Sequence, residues 1–313
     1  MPPRSNEVVY RTAEDRYWQH VGLKPLERRL HLKHSDVDVR VQEVGSGDAL
    51  LFVHGASNSG VSWADLVVHL DSYRCLLLDR PGAGLSDAVT EPFADVAALA
   101  RFSDELVCDV LDALEIPTAH LVATSYGGYA ALRGAAAHPT RFERIVILGW
   151  IMGAANPNMP FFMRMAGIRA LARLMAKIPV NETVVRSMFK RIGLRRALEE
   201  GRISDELISC YTALLKHTNT LRNEVEIGRW LMNWRGLNPE IVLPAEVLSN
   251  VRAPVYFLWG QEDPFGGPQV ARALAGQVPN AQLELMPGAG HAVWLDDPLH
   301  VAQVIDDHFT TAA

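Results

Sequence analysis

The spacing of apolar and polar positions divides the chain into a polar leader, a strand-and-helix body and a helical segment that interrupts the body. Residues 1–28 are polar and partly helical, and Tyr10, Tyr17 and Trp18 are expected to anchor this leader on the body. Residues 37–44 alternate in the manner of a half-buried strand, whereas the later strand-like runs are solidly apolar. The strand-like runs are 29–33, 37–44, 50–53, 74–78, 119–123, 145–149, 254–260 and 281–285.

After residue 53 these runs alternate with helix-like ones, a pattern typical of crossover connections between parallel strands. Early alternation followed by solid apolar runs predicts an antiparallel edge that leads into a buried parallel sheet. The fold class is therefore α/β, with a mostly parallel central sheet flanked by helices. The interrupting segment has only helical patterns, at 161–177, 182–190, 194–201, 205–217 and 220–233. We divide the chain into a leader (1–28), a body (29–152 and 249–313) and a helical segment (153–248).

Composition restricts the classes of function without selecting one. The 313 residues include 30 Lys and Arg against 36 Asp and Glu, a net charge of −6 that gives no overall basic field for nucleic acid. The three cysteines (Cys75, Cys108 and Cys210) form no metal-ligand motif, so a reduced, cytoplasmic setting is expected. The N-terminus lacks the apolar core of a secretory signal, and no run of about 18 apolar residues predicts a membrane span.

The stretch 122–128 carries the strongest indication of chemistry. A short apolar run ends at Ser125, and an Ala-rich helical segment (129–137) follows. A sharp strand-to-helix turn lifts the serine side chain and leaves room only for small residues two positions away on either side, where Ala123 and Gly127 stand. The pattern alone is weak because serine and glycine also share ordinary loops. Ser125 becomes a strong candidate nucleophile only when a base and an acid accompany it.

Two later loops contain the partners that a nucleophilic serine needs. Its hydroxyl requires an imidazole to take the proton, and the imidazole requires an acceptor that fixes its tautomer. His291 lies in a Gly-rich loop after the run 281–285, and Asp263 follows the run 254–260, where open α/β sheets collect functional side chains. Most loop histidines are simply solvated, and most Asp-Pro pairs form turns. The chain order Ser125, Asp263, His291 nevertheless predicts a catalytic triad.

A third loop is suited to stabilise an oxyanion. The apolar strand 50–53 runs directly into His54, Gly55 and Ala56. An oxyanion hole needs one backbone N–H from the residue after the nucleophile and a second from the loop after an early strand. We therefore expect the backbone N–H groups of Tyr126 and Ala56 to form it. His54 is expected to hold this loop rather than to act as a second base.

Together these motifs resemble those of the α/β-hydrolase family, over a region from about residue 35 to residue 309. The matching motifs, in family order, are His54-Gly55 with Trp63 downstream, Asp79-Arg80-Pro81-Gly82-x-Gly84-x-Ser86, the turn at Ser125, Gly260-x-x-Asp263-Pro264, and Gly290-His291 followed by Asp296-x-Pro298. The resemblance implies the triad, a hydrolase activity, and no requirement for a metal or an organic cofactor.

Two departures from the family pattern concern the triad. Ala123 stands where the family more often has glycine, which is a sterically mild change. Some members carry the acid after the strand that follows the Ser-bearing helix, but residues 150–157 of this chain contain no carboxylate. Asp263 is therefore the favoured acid, with its neighbour Glu262 as the fallback.

The helical segment 153–248 resembles the cap, or lid, of many family members. In that position it would cover the Ser125 pocket, exclude water and determine much of the substrate selectivity. Any single aromatic or Met side chain at helical spacing is more often part of a core than of a binding site. With that alternative open, the candidate substrate-lining residues are Trp63, Trp150, Met152, Phe161, Phe162, Phe265 and Trp294.

The first part of the helical segment is strongly basic. Nine basic residues and one acidic residue lie between residues 161 and 196, and helical spacing puts Arg169, Arg173 and Lys177 on one face. A solvated basic face is the favoured interpretation. Attraction of anionic substrates and contact with an anionic membrane surface are the alternatives.

The resemblance implies a serine hydrolase that cleaves an ester-type bond, either a carboxylic ester or a lactone, of a small, largely apolar substrate through an acyl-enzyme. The same triad serves C–C bond hydrolysis of meta-cleavage-type dienoates and perhydrolysis in related enzymes, and a receptor-like ligand-binding protein is the non-enzymatic alternative. Epoxide hydrolases and haloalkane dehalogenases are disfavoured because their relatives have an aspartate in place of Ser125. The expected partner is a small-molecule substrate, and a monomer or a homodimer is expected.

Overall fold

The apolar runs of the sequence form a large twisted sheet that is covered on both faces. The computed structural model describes residues 5–90, 93–155, 159–175 and 179–310. The strands in these ranges are β1 (Leu26–Leu32), β2 (Val37–Val44), β3 (Asp48–Val53), β4 (Tyr73–Asp79), β5 (Ala119–Thr124), β6 (Phe142–Ile151), β7 (Met232–Asn233), β8 (Gly236–Leu237), β9 (Val255–Gly260) and β10 (Ala281–Met286).

Eight strands make the main sheet in the order β1-β2-β4-β3-β5-β6-β9-β10. β2 pairs antiparallel with β1 and β4, and the remaining neighbours pair parallel, which confirms the predicted antiparallel edge. Successive side chains of β3 enter opposite cores: Leu51 and Val53 on one face, Leu50 and Phe52 on the other. Because both faces are buried, the central strands read as solid apolar runs rather than alternating ones.

Helices lie on both faces of the sheet and in the segment between β6 and β9. They are α1 (Ser5–His20), α2 (Ala64–Val67), α3 (Val96–Ala113), α4 (Ser125–Ala137), α5 (Phe161–Ala166), α6 (Arg169–Met175), α7 (Glu182–Arg191), α8 (Arg195–Glu199), α9 (Asp205–His217), α10 (Thr220–Leu231), α11 (Ala245–Ser249), α12 (Pro268–Ala275), α13 (Val293–Asp296) and α14 (Pro298–Thr310). Within the described ranges, none of these helices has the length and apolar character needed to cross a bilayer.

Helix α1 anchors the N-terminal region through buried aromatic and charged groups. Tyr10, Tyr17 and Trp18 are all buried, as predicted. On the same helix, Glu14 accepts two hydrogen bonds of 2.7 Å from the Arg40 guanidinium, which is itself buried in β2. Strand β1 starts at Leu26 rather than at residue 29, because its first three residues already pair with β2 despite their exposure.

The segment between β6 and β9 is helical apart from one short hairpin. The predicted helix 161–177 is interrupted at Gly167 and Ile168 and forms α5 and α6, and residues 176–178 lie outside the described ranges. Gly167 approaches the hairpin so closely that a Cβ there would lie 2.8 Å from the carbonyl oxygen of Asn233. The hairpin of β7 and β8 also ends α10 at Leu231, two residues before the predicted end. We refer to α5–α10 and this hairpin as the insertion.

Candidate active site

Ser125 stands at the junction of β5 and α4 in a conformation that few non-glycine residues adopt. Its φ angle is +53°, in the left-handed region. A Cβ on Gly127 would lie 2.1 Å from the carbonyl oxygen of Val53, so only glycine fits there. Helix α4 begins at Ser125 itself, four residues before the predicted start, because close packing outweighs the low helix propensity of Gly127 and Gly128. The turn thus presents the serine at the N-terminus of a helix.

Asp263 follows the end of β9 and is held by three hydrogen-bond donors. Its Oδ2 atom accepts from His291 Nδ1 at 2.8 Å and from the Trp150 backbone N–H at 2.8 Å, and its Oδ1 atom accepts from the Phe265 backbone N–H at 2.9 Å. An ionised carboxylate only accepts, so the Nδ1 atom of His291 must carry the proton of this contact. In the neutral imidazole, Nε2 is then the basic nitrogen. This is the tautomer that a proton acceptor for serine requires.

The loop that carries His291 is fixed from two directions. The His291 backbone N–H donates to the carbonyl oxygen of Ile192, at the end of α7 in the insertion, at 2.9 Å. The preceding Gly290 N–H donates to Oδ2 of Asp296 at 2.8 Å. Burial raises the pKa of Asp296 to about 6, while the Gly290 N–H and the Arg202 guanidinium act in the opposite direction. A buried carboxylate and a helix terminus therefore hold the backbone of the loop that carries His291.

The loop after β3 is held by a neutral histidine. His54 is fully buried, and burial together with the nearby Arg80 charge holds its pKa well below the usual range. Its Nδ1 donates to the Gly55 carbonyl oxygen at 2.7 Å, and its Nε2 accepts from the Arg80 backbone N–H at 3.1 Å. Both ring nitrogens are thus used to support the loop before Ala56, which agrees with the expected structural part for His54.

Arg80 is a supporting residue that the sequence motif contained but to which no role was assigned. Its Nε and Nη2 atoms donate to the carbonyl oxygens of His54 and Gly55, each at 2.8 Å. Nη2 also donates to Glu224 on α10 at 2.8 Å, and the guanidinium stands 4.6 Å from the Tyr126 ring centroid. The side chain is only 2% exposed, so its charge depends on Glu224 for compensation. Arg80 therefore connects the insertion to the proposed oxyanion loop.

Ser125, His291 and Ala56 face one cavity of about 200 Å³ between the sheet and the insertion. Its wall is mainly apolar, and among the described residues that line it there is no Lys or Arg. The lining residues from the body are Gly55, Ala56, Ser57, Asn58, Thr124, Ser125, Trp150, Met152, Phe265, His291, Ala292, Trp294 and Leu295. Those from the insertion are Phe162, Met163, Val185, Met188, Phe189, Ile192, Tyr211 and Leu215.

Most of the candidate substrate-lining residues face this cavity, but two do not. Trp150, Met152, Phe162, Phe265 and Trp294 line it. In contrast, Trp63 is a fully buried core residue that packs on Trp294 with a ring-centroid distance of 4.5 Å. Phe161 is 75% exposed and points to the outside of the insertion, because it occupies the first, solvent-facing turn of α5.

Sequence reasoning missed the cavity wall provided by α7 and α9. Val185, Met188, Phe189, Tyr211 and Leu215 line the cavity from these two helices. The available signal was the apolar stripe at helical spacing on α7, which is compatible with core packing as well as with a cavity. Only the position of the insertion over Ser125 distinguishes cavity lining from core packing.

Several basic residues of the insertion pair with acidic side chains, and no described Lys or Arg lines the cavity. Arg173 pairs with Glu226 at 2.8 Å and Arg196 with Glu200 at 2.7 Å, while Arg186 pairs with Asp205. For the predicted basic face, Lys177 lies outside the described residues, and the side chain of Arg169 is likewise not described.

These features define the class: an α/β protein with a serine at a strand-to-helix turn and an Asp–His pair at neighbouring strand ends. The model of the alpha/beta hydrolase family matches residues 50–304, and the chain belongs to that family.

Similar proteins include hydrolases of more than one kind. The 2-hydroxy-6-oxononadienedioate/2-hydroxy-6-oxononatrienedioate hydrolase of Cupriavidus pinatubonensis is 25% identical, over 85% of this chain and 90% of the relative. The 2-hydroxy-6-oxo-6-phenylhexa-2,4-dienoate hydrolase of Burkholderia cepacia is 27% identical, over 83% and 87%. Among solved structures, the naproxen esterase of Bacillus subtilis superposes with a TM-score of 0.74 at 17% identity, covering 99% of this chain and 100% of that one.

Proposed function

We propose that this chain is a serine hydrolase that cleaves an ester-type bond, a carboxylic ester or a lactone, in a small and largely apolar substrate. The observation that carries the proposal is the convergence of Ser125, the Asp263–His291 pair and Ala56 on one apolar cavity. Acyl transfer needs a nucleophile, a general base with a fixed tautomer, and backbone donors that bind an anion. These residues match the three needs.

In the proposed first half-reaction, Nε2 of His291 takes the proton of the Ser125 hydroxyl as its Oγ attacks the substrate carbonyl carbon. Asp263 holds the imidazole and stabilises its positive charge. The imidazolium then gives the proton to the leaving alcohol as the bond between the carbonyl carbon and the alcohol oxygen breaks. The acyl group remains on Ser125. In the second half, His291 takes a proton from water as the water oxygen attacks the acyl carbon. The bond between that carbon and Ser125 Oγ then breaks, the imidazolium returns the proton to Oγ, and the acid is released.

The negative charge that develops on the substrate oxygen needs donors fixed in advance. We assign this role to the backbone N–H groups of Ala56 and Tyr126. The supports for the first of these are the His54 and Arg80 contacts to the loop that precedes Ala56. The support for the second is the position of Tyr126 in the first turn of α4, where backbone N–H groups have no partner within the helix.

The polarity of the cavity favours an uncharged substrate. A carboxylate moved from water into an apolar cavity without a cationic partner is strongly disfavoured. The described cavity lining combines aromatic, Met and aliphatic side chains with a few neutral polar groups, such as Asn58 and Tyr211. An ester with an apolar acyl group fits this surface, and a volume of about 200 Å³ corresponds to a small substrate.

The second candidate is C–C bond hydrolysis of a meta-cleavage-type dienoate, because several relatives at 24–28% identity carry that activity in their names. Such a substrate brings a carboxylate into the site. The lack of Lys and Arg among the described lining residues weighs against it. A receptor-like protein that binds a ligand without turnover is the non-enzymatic alternative.

The test compares substrates on one preparation of the protein and on its Ser125→Ala variant. We expect turnover of p-nitrophenyl acetate, butyrate or octanoate by the natural chain, loss of that turnover in Ser125→Ala, and no turnover of 2-hydroxy-6-oxo-6-phenylhexa-2,4-dienoate. Turnover of the dienoate without turnover of the esters would select the C–C hydrolase. No turnover of any ester or dienoate, together with reversible ligand binding, would select the receptor-like alternative.

A further inference from the structure

Large hydrophobic side chains are exposed on the outer surface of the insertion. Phe161 is 75% exposed, Leu174 62% and Trp234 65%, and Ile168 is also exposed. We refer to these four residues as the apolar patch. Single exposed hydrophobic residues are ordinary, but several gathered on one surface indicate an interaction site.

The patch is assembled from two pieces of the insertion that touch. Three of its members lie on or beside α5 and α6, whereas Trp234 is in the turn of the β7–β8 hairpin. Gly167 and Asn233 are in close contact, since a Cβ on Gly167 would lie 2.8 Å from the Asn233 carbonyl oxygen. The residues that follow them, Ile168 and Trp234, are both exposed and therefore lie near each other on the surface. Leu174 is three positions after Leu171 on α6, and Leu171 lines a groove with Phe161.

The patch adjoins the cavity that contains Ser125. Phe161 lines a groove together with Phe162, Met165, Leu171 and Arg191. Phe162 is also part of the cavity wall. One aromatic side chain thus separates the outer groove from the cavity, and apolar side chains continue from one to the other.

Positive charge accompanies the patch. Arg191 lines the groove, and the Arg235 guanidinium is 4.9 Å from the ring centroid of Trp234. Neither arginine forms an ion pair with a carboxylate within the part of the chain that the structure describes. Residues 161–196 contain nine basic residues and one acidic residue, but Arg173, Arg186 and Arg196 pair with acidic side chains beyond residue 196. Arg191 and Arg235 are therefore the arginines on which the proposal depends. An apolar surface bordered by arginine is complementary to a surface that is anionic outside and apolar beneath.

We propose that the apolar patch and the arginines beside it dock on the surface of an anionic phospholipid bilayer. Trp and Phe side chains favour the level of the lipid headgroups, and arginine is attracted by anionic headgroups. The cavity would then receive an apolar ester that partitions from the bilayer. This last clause rests on the proposed function; the docking itself does not.

The experiment uses Ser125→Ala, so that hydrolysis does not alter the vesicles. The protein is sedimented with vesicles of phosphatidylcholine mixed with phosphatidylglycerol, and with vesicles of phosphatidylcholine alone. We expect binding to the anionic vesicles that is several-fold weaker on the neutral ones. Raising the salt concentration should weaken it further, because screening shortens the range of the electrostatic attraction.

Substitutions test whether vesicle binding depends on the apolar patch rather than on the rest of the surface. Leu174→Ser combined with Trp234→Ser should weaken vesicle binding by about tenfold or more, since both side chains would lose their apolar environment. Arg191→Gln should weaken it on the order of fivefold. Leu299→Ser is the matched control for the apolar changes, because Leu299 is 64% exposed on α14, outside the insertion. Arg101→Gln, an exposed position on α3, is the control for charge.

Three results would overturn the docking proposal: no binding to anionic vesicles, binding that the Leu174/Trp234 variant leaves unchanged, or a dimer in solution that this variant dissociates. The last result would assign the patch to a second copy of the chain. The same substitutions should also be made in the protein that keeps Ser125. These variants should hydrolyse dissolved p-nitrophenyl acetate as fast as the natural protein does. If the protein with the unaltered patch does not bind anionic vesicles while the natural chain hydrolyses the ester, the docking alone is rejected. If that protein binds the vesicles while the natural chain hydrolyses no ester, the proposed function alone is rejected.

Discussion

Asp263 accepts three hydrogen bonds, and two of their donors are backbone N–H groups whose positions are set by the sheet and the loop after it. Such a carboxylate has little freedom to turn away from His291. Its neighbour Glu262 follows the same strand end but is exposed. The order of motifs favours Asp263 over Glu262 as the proposed acid, and the three hydrogen bonds support that proposal.

Replacing Asp263 with Asn is expected to lower kcat on the order of 10³–10⁴-fold, because the neutral amide no longer stabilises the imidazolium or fixes its tautomer. Ester hydrolysis by Asp263→Asn and by the matched control Glu262→Gln measures this. The control should stay close to the natural protein. A large loss in Glu262→Gln with activity retained in Asp263→Asn would transfer the acid role to Glu262.

Asp296, which accepts a hydrogen bond from the loop that carries His291, should make the free energy of unfolding depend on pH. Burial raises its pKa to about 6 in the folded protein, whereas the unfolded value is about 4. The folded state therefore holds the proton more tightly. The free energy of unfolding falls as the pH rises through this interval, and the full cost of the buried charge is present above about pH 6.

In Asp296→Asn this contribution disappears. Between pH 4 and pH 7, the natural protein should lose about 2 kcal/mol more of its free energy of unfolding than the variant does. Urea denaturation at a series of pH values measures the difference. Parallel pH dependences for the two proteins would show that the buried carboxylate does not titrate as described.

Among the secondary-structure elements, the insertion supports the loops of the proposed active site as well as covering them. The end of α7 accepts the backbone N–H of His291 through the Ile192 carbonyl oxygen. Helix α10 reaches the loop before Ala56 through Glu224 and Arg80. A shift of the insertion would therefore alter the proposed base and the proposed oxyanion hole together.

Glu224→Gln removes the charge that compensates Arg80. We expect a loss of stability of about 3 kcal/mol, because Arg80 remains buried with its charge unpaired. A decrease in kcat on the order of tenfold should accompany it, since the donors of an oxyanion hole act mainly on the transition state. Glu226→Gln on the same helix, where the pair with Arg173 is half exposed, is the control. Unchanged kcat with reduced stability would limit the Glu224–Arg80 pair to a structural role.

The elements themselves were predictable to different degrees. Buried strands such as β5 and β9 have solid apolar runs between turn residues, and their bounds agree with prediction to within one residue. Helices of the insertion were less predictable, because the break at Gly167 depends on contact with a hairpin whose strands have two residues each. Arg80 and Glu224 are separated by 144 residues of sequence, so no local pattern could predict their contact.

At the scale of the whole molecule, the N-terminal helix is part of the same scaffold. Glu14 on α1 pairs with Arg40, and Arg40 pairs with Asp79, with distances of 2.7 Å. Asp79 in turn accepts the backbone N–H groups of Gly60 and Leu85. The polar leader is thus joined to the body by a buried ionic network as well as by its Tyr and Trp anchors. The sequence predicted the anchors but not the network.

Glu14→Gln tests the coupling of the leader to the body. Because Arg40 is almost fully buried, loss of one of its carboxylate partners should lower the free energy of unfolding by about 3 kcal/mol. Glu7→Gln, whose partner Arg11 is partly exposed, should cost less than about 1 kcal/mol. Denaturation of both variants in urea provides the comparison, and equal losses would contradict the importance of the buried pair.

The proposed function depends on Ser125 as the activated nucleophile of the cavity. The most direct measurement is covalent labelling of the purified protein with a fluorophosphonate, followed by peptide mapping of the modified residue. We expect one label, located on Ser125, that is absent from Ser125→Ala and forms much more slowly in Asp263→Asn. No labelling of the natural protein, or a label on another residue that persists in Ser125→Ala, would contradict it.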